Sequence, residues 1–255
     1  MSATAATSPS DQPPLLIVAA TEAELRELVA ELHDPRPIGG GAWPSAWLGR
    51  LRQRHVALVA CGVGKASSAA AVAWFAATLR PSACLMTGIA GAYVGAFVPV
   101  GAAVCATSET DLDAGVAYRS RTASLAEIPL PRVPADDRSE RPELFEVFPT
   151  DPRWTAALAR ACDAAPVPFA TSDAIAGDLD VAADRAERSG AAIESMEGAG
   201  AALACARLGL PFAQVRGVSN VAGVRDKAAW NVRGAVRAAS TAILAAVGRL
   251  DDPPA

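Results

Sequence analysis

Histidine and aromatic residues are scarce in this 255-residue chain, which holds two His, two Tyr, five Trp and six Phe. His33 ends a predicted helix before Asp34 and Pro35, and His55 opens a predicted strand, so both read as structural or exposed. No serine sits in a GxSxG elbow, which with so few histidines excludes a Ser-His hydrolase and a zinc centre. The five cysteines (Cys61, Cys84, Cys105, Cys162 and Cys205) form no CxxC pair and no Cys/His cluster. They predict buried free thiols in a reducing cytoplasm and no metal. A cationic excess is missing as well: Lys plus Arg is 23 against 27 for Asp plus Glu, a net charge of −4. That balance excludes the basic stripe of a nucleic-acid binder and an anionic membrane surface as partner. No run reaches the roughly 20 apolar residues that span a bilayer. The opening MSATAATSPSDQPP lacks the basic and apolar regions of a signal peptide, so residues 1–14 read as a disordered tail. Apolar residues at 51% suffice for a packed core. At roughly 100–200 residues per domain, residues 15–250 read as one domain. The expected partner is a small molecule.

Alanine is abundant and blurs periodicity, so apolar runs and turn signals carry the assignment. LLIVAA (15–20) reads as a strand, and residues 21–32 as a helix with Leu25, Leu28, Val29 and Leu32 at helical spacing. Thr21 and Glu24 offer that helix a capping box. A loop rich in Gly and Pro follows at 34–44, then strands at 45–52 and 55–61. Residues 65–79 read as a helix stopped by Arg80 and Pro81, with strands at 83–88 and 101–110 beyond it. The charged, proline-rich segment 129–143 reads as a surface loop or mobile lid. Helices are then predicted at 152–163, near 180–188, at 197–209 and near 228–249, with strands at 167–172, 191–195 and 212–219. This alternation predicts an α/β fold, with a central mixed twisted sheet flanked by helices. Ligands of such folds bind beyond the carboxyl ends of the strands. The segments Thr21–Glu24, Gly62–Lys65, Gly88–Gly91, Glu194–Glu197 and Ser219–Asn220 all fall there.

Each of these segments has a chemical reading and a plain one. CGVGKAS (61–67) suggests a phosphate loop, but Val59 and Ala66 stand where that motif needs Gly and Ser or Thr. It reads instead as a tight strand-to-helix turn with Lys65 solvated. TGIAGAYVG (87–95) reads as a glycine-rich turn whose backbone N–H groups either face a ribose or merely close the turn. Glu197 opens a helix after a buried strand; its carboxylate suits a cis-diol, or simply favours the helix N-terminus. Ser219 and Asn220 end a buried strand. The amide of Asn220 either reads a purine edge or closes a turn.

In one consistent order across residues 15–248, AATEAEL, GVGK, TGIAGAYVG, SMEGAG and VRGVSN resemble the purine nucleosidase and nucleoside phosphorylase superfamily. Within it, ESMEGAG and RGVSNVAGVRDKAAW, with Asn220 and Trp230, resemble the group that hydrolyses futalosine in menaquinone synthesis. The resemblance implies a three-layer phosphorylase/nucleosidase-like fold and hydrolysis of an N-glycosidic bond with hypoxanthine leaving. It implies no cofactor, a nucleoside partner, and a homodimer or larger homo-oligomer. By the same resemblance Glu24 activates the attacking water, and Ile89, Ala90 and Gly91 line the ribosyl and water site. Met196 and Glu197 bind ribose, and Asn220, beside Ser219, meets the base. Relatives that hydrolyse methylthioadenosine carry Asp at the Asn220 position as an acid for adenine N7; Asn points to a 6-oxopurine instead. Phosphorylase relatives hold phosphate with arginines beside the first strand and before the glycine loop. Here Cys84, Leu85 and Met86 are apolar and Arg26 is the only early arginine, which favours water. The benzoate-like tail of futalosine would want an arginine; Arg119, Arg121 and Arg132 border the 129–143 segment, but nothing in the spacing singles one out and all three read more plainly as solvated surface residues. Trp230, Phe169, Tyr93 and Phe97 are the candidates to stack on the base. Three alternatives stay open: a nucleosidase for an adenine nucleoside, a phosphorylase, and a nucleoside-binding protein without turnover.

Overall fold

Strand β1 (Leu15–Ala19) is buried along its whole length, and its alternation defines two layers. Leu15, Ile17 and Ala19 face one apolar cluster, Leu16 and Val18 another. These positions come from a computed structural model, which describes residues 12–38, 45–119, 121–137 and 141–249. Residues 1–11, most of the expected tail, lie outside the described residues. After β1 come α1 (Glu22–Ala30), β2 (His33–Pro37), β3 (Ala46–Leu51), β4 (Arg54–Ala60), α2 (Lys65–Leu79), β5 (Ala83–Met86) and β6 (Ile89–Ala92). The chain continues through β7 (Ala103–Asp111), a small hairpin of β8 (Val116–Ala117) and β9 (Thr122–Ala123), β10 (Val147–Pro149), α3 (Pro152–Cys162) and β11 (Val167–Thr171). It finishes with α4 (Leu179–Ser189), β12 (Ile193–Ser195), α5 (Gly198–Leu208), β13 (Phe212–Val221) and α6 (Val232–Val247).

The sheet runs β10-β7-β11-β12-β6-β13-β5-β1-β4-β3-β2, with β7 also paired to β13. That extra pairing closes β7, β11, β12, β6 and β13 into a ring, so the mixed sheet is open at one side and barrel-like at the other. The ten residues of β13 join the two parts, because its start pairs with β5 and its end with β6. Helices α1, α3 and α6 cover one face. Helices α2 and α5 cover the other, where Ala71, Val72 and Phe75 meet Ala201, Ala202 and Cys205. Each fully buried Leu or Ile contributes roughly 1.5–3 kcal/mol here. Among the described residues no helix is long and apolar enough to cross a membrane. All five cysteines are free, and all but the half-buried Cys162 are buried.

Local signals explain most boundaries. Thr21 caps α1 by the expected box, with Glu24 N donating to Thr21 Oγ1 at 3.3 Å and Thr21 N to Glu24 Oε2 at 2.9 Å. Arg80 ends α2 in the left-handed region ahead of Pro81. Two expectations need correction. Residues 33–37 form the edge strand β2 rather than opening a loop, because β3 supplies its pairing partners; residues 39–44 lie outside the described residues. The segment read as a glycine-rich turn contains strand β6, short but paired on both sides, parallel to β13 and antiparallel to β12.

Candidate active site

Four strand ends and the start of α1 bring their polar residues to one cavity of about 290 Å³. Nine of the residues named from sequence line it: Glu24, Ile89, Ala90, Gly91, Met196, Glu197, Ser219, Asn220 and Trp230. The cavity opens at the carboxyl ends of β1, β12 and β13, where an α/β sheet leaves room for a ligand. A wider hollow of about 720 Å³, bordered by His55 and Arg80, lies at the opposite end of the strands and gathers none of these groups.

Glu24 is buried and held at both oxygens. Oε2 accepts from Thr21 N and Thr21 Oγ1, each at 2.9 Å, and Oε1 accepts from Ile89 N at 3.0 Å. The capping box therefore does more than start the helix, since it aims this carboxylate across the cavity toward β6. Gly88, at φ +135°, makes the approach possible: a Cβ there would sit 2.5 Å from Glu24 Oε1 and 2.7 Å from Arg216 Nη1.

Arg216, which is not among the residues proposed from sequence, is the largest fully buried side chain. Its Nη1 lies 3.3 Å from Glu197 Oε2, and its Nε donates to Gln214 Oε1 at 3.2 Å. An unpaired guanidinium at such a depth would cost several kcal/mol, so its carboxylate partner and polar contacts are part of its stability. An Arg inside an otherwise apolar strand, VRGVSN, is the sequence signal that marks it. Glu197 accepts from Gly64 N at 3.3 Å at Oε1, while the Ser68 hydroxyl donates to its backbone carbonyl at 2.8 Å. Burial pushes the Glu197 carboxyl above its ordinary pKa, against the pull of Arg216, with Glu24 adding to the rise. Cys61, beside the same charges, is pushed up to about 12 by burial first and by Glu197 second, which leaves it an inert thiol.

At the far end of β13, a register shift between Val218 and Asn220 sets two residues against one on β6. Such a bulge re-aims side chains, and Ser219 and Asn220 consequently share the cavity. Asn220 Nδ2 donates to Val221 O at 2.8 Å, which fixes the amide orientation because a carbonyl only accepts. Ser219 Oγ lies 2.8 Å from Asn220 Oδ1 and 3.1 Å from Ala90 O. A primary amide has two N–H groups and two oxygen lone pairs, so one of each remains for a ligand.

Several further expectations change. Lys65 is not solvated: Nζ lies 2.6 Å from both Asp111 Oδ1 and Asp113 Oδ2, tying the start of α2 to the end of β7. Of the four aromatics proposed to stack on a base, only Trp230 lines the cavity. Phe169 is in the core, Tyr93 is buried with its hydroxyl 3.3 Å from Glu194, and Phe97 is 98% exposed. Arg121 pairs with Glu127 and Arg132 with Asp111, while Arg119 is exposed, and none of the three lines the cavity. In 129–143, Val133 is buried and pairs with Leu144, and Arg141 Nη1 donates to Ala206 O on α5 at 3.1 Å. No described residue of that segment lines the cavity; residues 138–140 lie outside the described residues. Among the described residues no His, Cys, Asp and Glu cluster could hold a metal ion.

The chain is 35% identical over 212 residues to a futalosine hydrolase from Thermus thermophilus, covering 82% of this chain and 89% of that one. It is 33% identical over 234 residues to a futalosine hydrolase from Streptomyces coelicolor, covering 90% and 93%. Among solved structures, a methylthioadenosine/adenosylhomocysteine nucleosidase from Colwellia psychrerythraea in complex with adenine superposes with a TM-score of 0.79. It shares 22% identity, over 93% of this chain and 96% of that one. A futalosine hydrolase from Helicobacter pylori gives 0.77 at 16% identity, over 93% and 98%. Residues 14–250 match the phosphorylase superfamily, and the chain belongs to that superfamily.

Proposed function

We propose that this protein hydrolyses the N-glycosidic bond of futalosine, releasing hypoxanthine and dehypoxanthine futalosine. The observation that carries the reading is the Asn220 amide, which lines the same cavity as Glu24 and Glu197 and keeps one N–H and one oxygen lone pair beyond its bonds to Val221 and Ser219. Glu24 takes a proton from water as the water oxygen bonds to C1′. The C1′–N9 bond breaks, and its electron pair leaves with the base. Glu197, backed by Arg216, accepts from the ribose hydroxyls and favours the positive character that develops on the sugar. A 6-oxopurine leaves as an anion whose charge is spread over the ring nitrogens and O6, where the free Asn220 N–H donates to it, and solvent protonates the base once it is released. An amide has no proton to give N7 as a carboxylic acid does, which disfavours adenine.

Water is the favoured nucleophile because Cys84, Leu85 and Met86 are buried and apolar and Arg26 is exposed. A homo-oligomer and a cytoplasmic location complete the reading, supported by the bare Phe97 beside Val94 and by the free thiols. The second reading is an adenine nucleoside, because the same amide can pair with adenine N6 and N7 in binding even though it gives N7 no proton. Chromatography of products from futalosine and from methylthioadenosine, each with and without phosphate, tests both. Hypoxanthine from futalosine without phosphate is expected. Adenine release, or strict phosphate dependence, would overturn the assignment.

A further inference from the structure

Four ionisable residues line the cavity, and three of them are acids: Glu24, Glu194 and Glu197. Glu194 is already neutralised, by Arg185 Nη1 at 2.5 Å, and accepts from Ala176 N at 2.8 Å. Glu197 has Arg216. The fourth is Arg225, the only cation in the lining, and no carboxylate among the described residues pairs with it. Its neighbour in sequence, Asp226, uses Oδ1 to accept from Ala228 N at 3.0 Å instead. The guanidinium of Arg225 lies over the Trp230 ring, 5.0 Å from its centroid. The indole is itself pinned, with Nε1 donating to Val224 O at 3.0 Å. A guanidinium held over an indole face keeps N–H groups free to meet a carboxylate with two parallel hydrogen bonds.

Depth assigns the end of the ligand involved. Glu24, Glu197 and Asn220 are buried on the cavity floor, whereas Arg225 is exposed, at its mouth. Whatever reaches Arg225 is therefore the part of a bound nucleoside farthest from the glycosidic bond. The lining also offers Val63, Val232, Val236 and the Trp230 ring, surfaces for an apolar or aromatic spacer. We propose that Arg225, stacked on Trp230, is the specificity-determining residue for a carboxylate at the end of an aromatic tail on the nucleoside. The proposal rests on the futalosine reading for the identity of the tail, but the recognition chemistry is that of Arg225 itself.

The test compares futalosine with its carboxyl methyl ester. Kd is measured by calorimetry on full-length Glu24→Gln protein, so that neither ligand is consumed, and kcat/KM on the parent protein. The carboxylate is expected to bind roughly 10–100-fold more tightly than the ester, the range for a charge-assisted pair. Arg225→Gln should bring that ratio close to one, and Arg225→Lys should keep part of it; the lysine variant also serves if the glutamine variant does not fold. A ratio near one in the parent protein, or a ratio retained in Arg225→Gln, would overturn the proposal. If futalosine binds in preference to its ester but is never cleaved, the hydrolase reading falls and the role of Arg225 stands. If futalosine is cleaved with no preference over the ester, the reverse holds.

Discussion

Glu24 combines a structural contact and a chemical one in a single carboxylate, and its substitution separates them. Glu24→Gln keeps a carbonyl oxygen for Ile89 N or Thr21 but no longer takes a proton. Turnover of futalosine is expected to fall by about 10²–10⁴, and the weakened cap to cost about 1 kcal/mol. Steady-state kinetics and urea denaturation on the same sample check both figures, and near-normal turnover would remove Glu24 from the mechanism. Asn220→Asp tests base choice. An ionised Asp still accepts from Ser219 but cannot donate to Val221 O or to O6. Release of hypoxanthine should slow by at least about tenfold, because a site built to hydrogen-bond a group discriminates strongly when the pairing fails. Adenine release from methylthioadenosine, followed by chromatography, should rise in the same variant.

Elements meet at small residues on the α2–α5 side of the sheet. At Gly200 a Cβ would lie 2.1 Å from the Lys65 backbone carbonyl and 2.5 Å from Ser68 Oγ, so α5 packs directly on the start of α2. Gly200→Ala is expected to destabilise by about 1–3 kcal/mol, the cost of overpacking, because the nearest atom is backbone and cannot swing away. A lower denaturation midpoint at unchanged slope would register it. The same contact holds Gly64 N against Glu197, so the loss should reach the site as weaker substrate binding. Strand β6 marks the limit of local signals at this scale. IAGA has neither a β-branched alternation nor length, and Gly88 precedes it at positive φ, so every neighbouring residue points to a turn. Its strand character comes from hydrogen bonds to β12 and β13, residues more than 100 positions away.

The whole molecule carries charges deep inside it, and they couple stability to pH. Glu109 is fully buried, accepts from Thr171 Oγ1 at 2.6 Å and from Gln214 Nε2, and is raised from 4.5 to about 7, mainly by burial. A carboxyl with a raised folded-state pKa contributes stability that is complete below the unfolded value of 4.5 and is lost as pH rises through about 7. That loss is on the order of 3–4 kcal/mol at about 1.4 kcal/mol per unit of pKa. Thermal melts between pH 4.5 and 8 should show it, and Glu109→Gln should flatten the decline. Association is the second property of the molecule as a whole. Phe97 stands 98% exposed at φ +55°, next to Val94 at 73% and Val100 at 40%. Burial against a second copy is the expected relief, and Phe97→Ser should shift the sedimentation coefficient toward the monomer value.

The pieces of this protein are written locally in its chain: the apolar run of β1, the Thr21–Glu24 box, the stop at Arg80–Pro81, and the polar residues placed after the strands. These are preferences readable over a few neighbouring residues, and the strand-end rule is enough to group Glu24, Ile89, Glu197 and Asn220. Which charges face one another is a matter of the folded molecule. Arg216 acquires its partner Glu197, Lys65 leaves solvent for Asp111 and Asp113, and Arg225, which nothing in the sequence singles out, lines the cavity. The physical reason is range. A cap or a turn is settled within four residues, whereas the cost of a buried charge depends on whatever the fold brings within about 4 Å, from any distance along the chain.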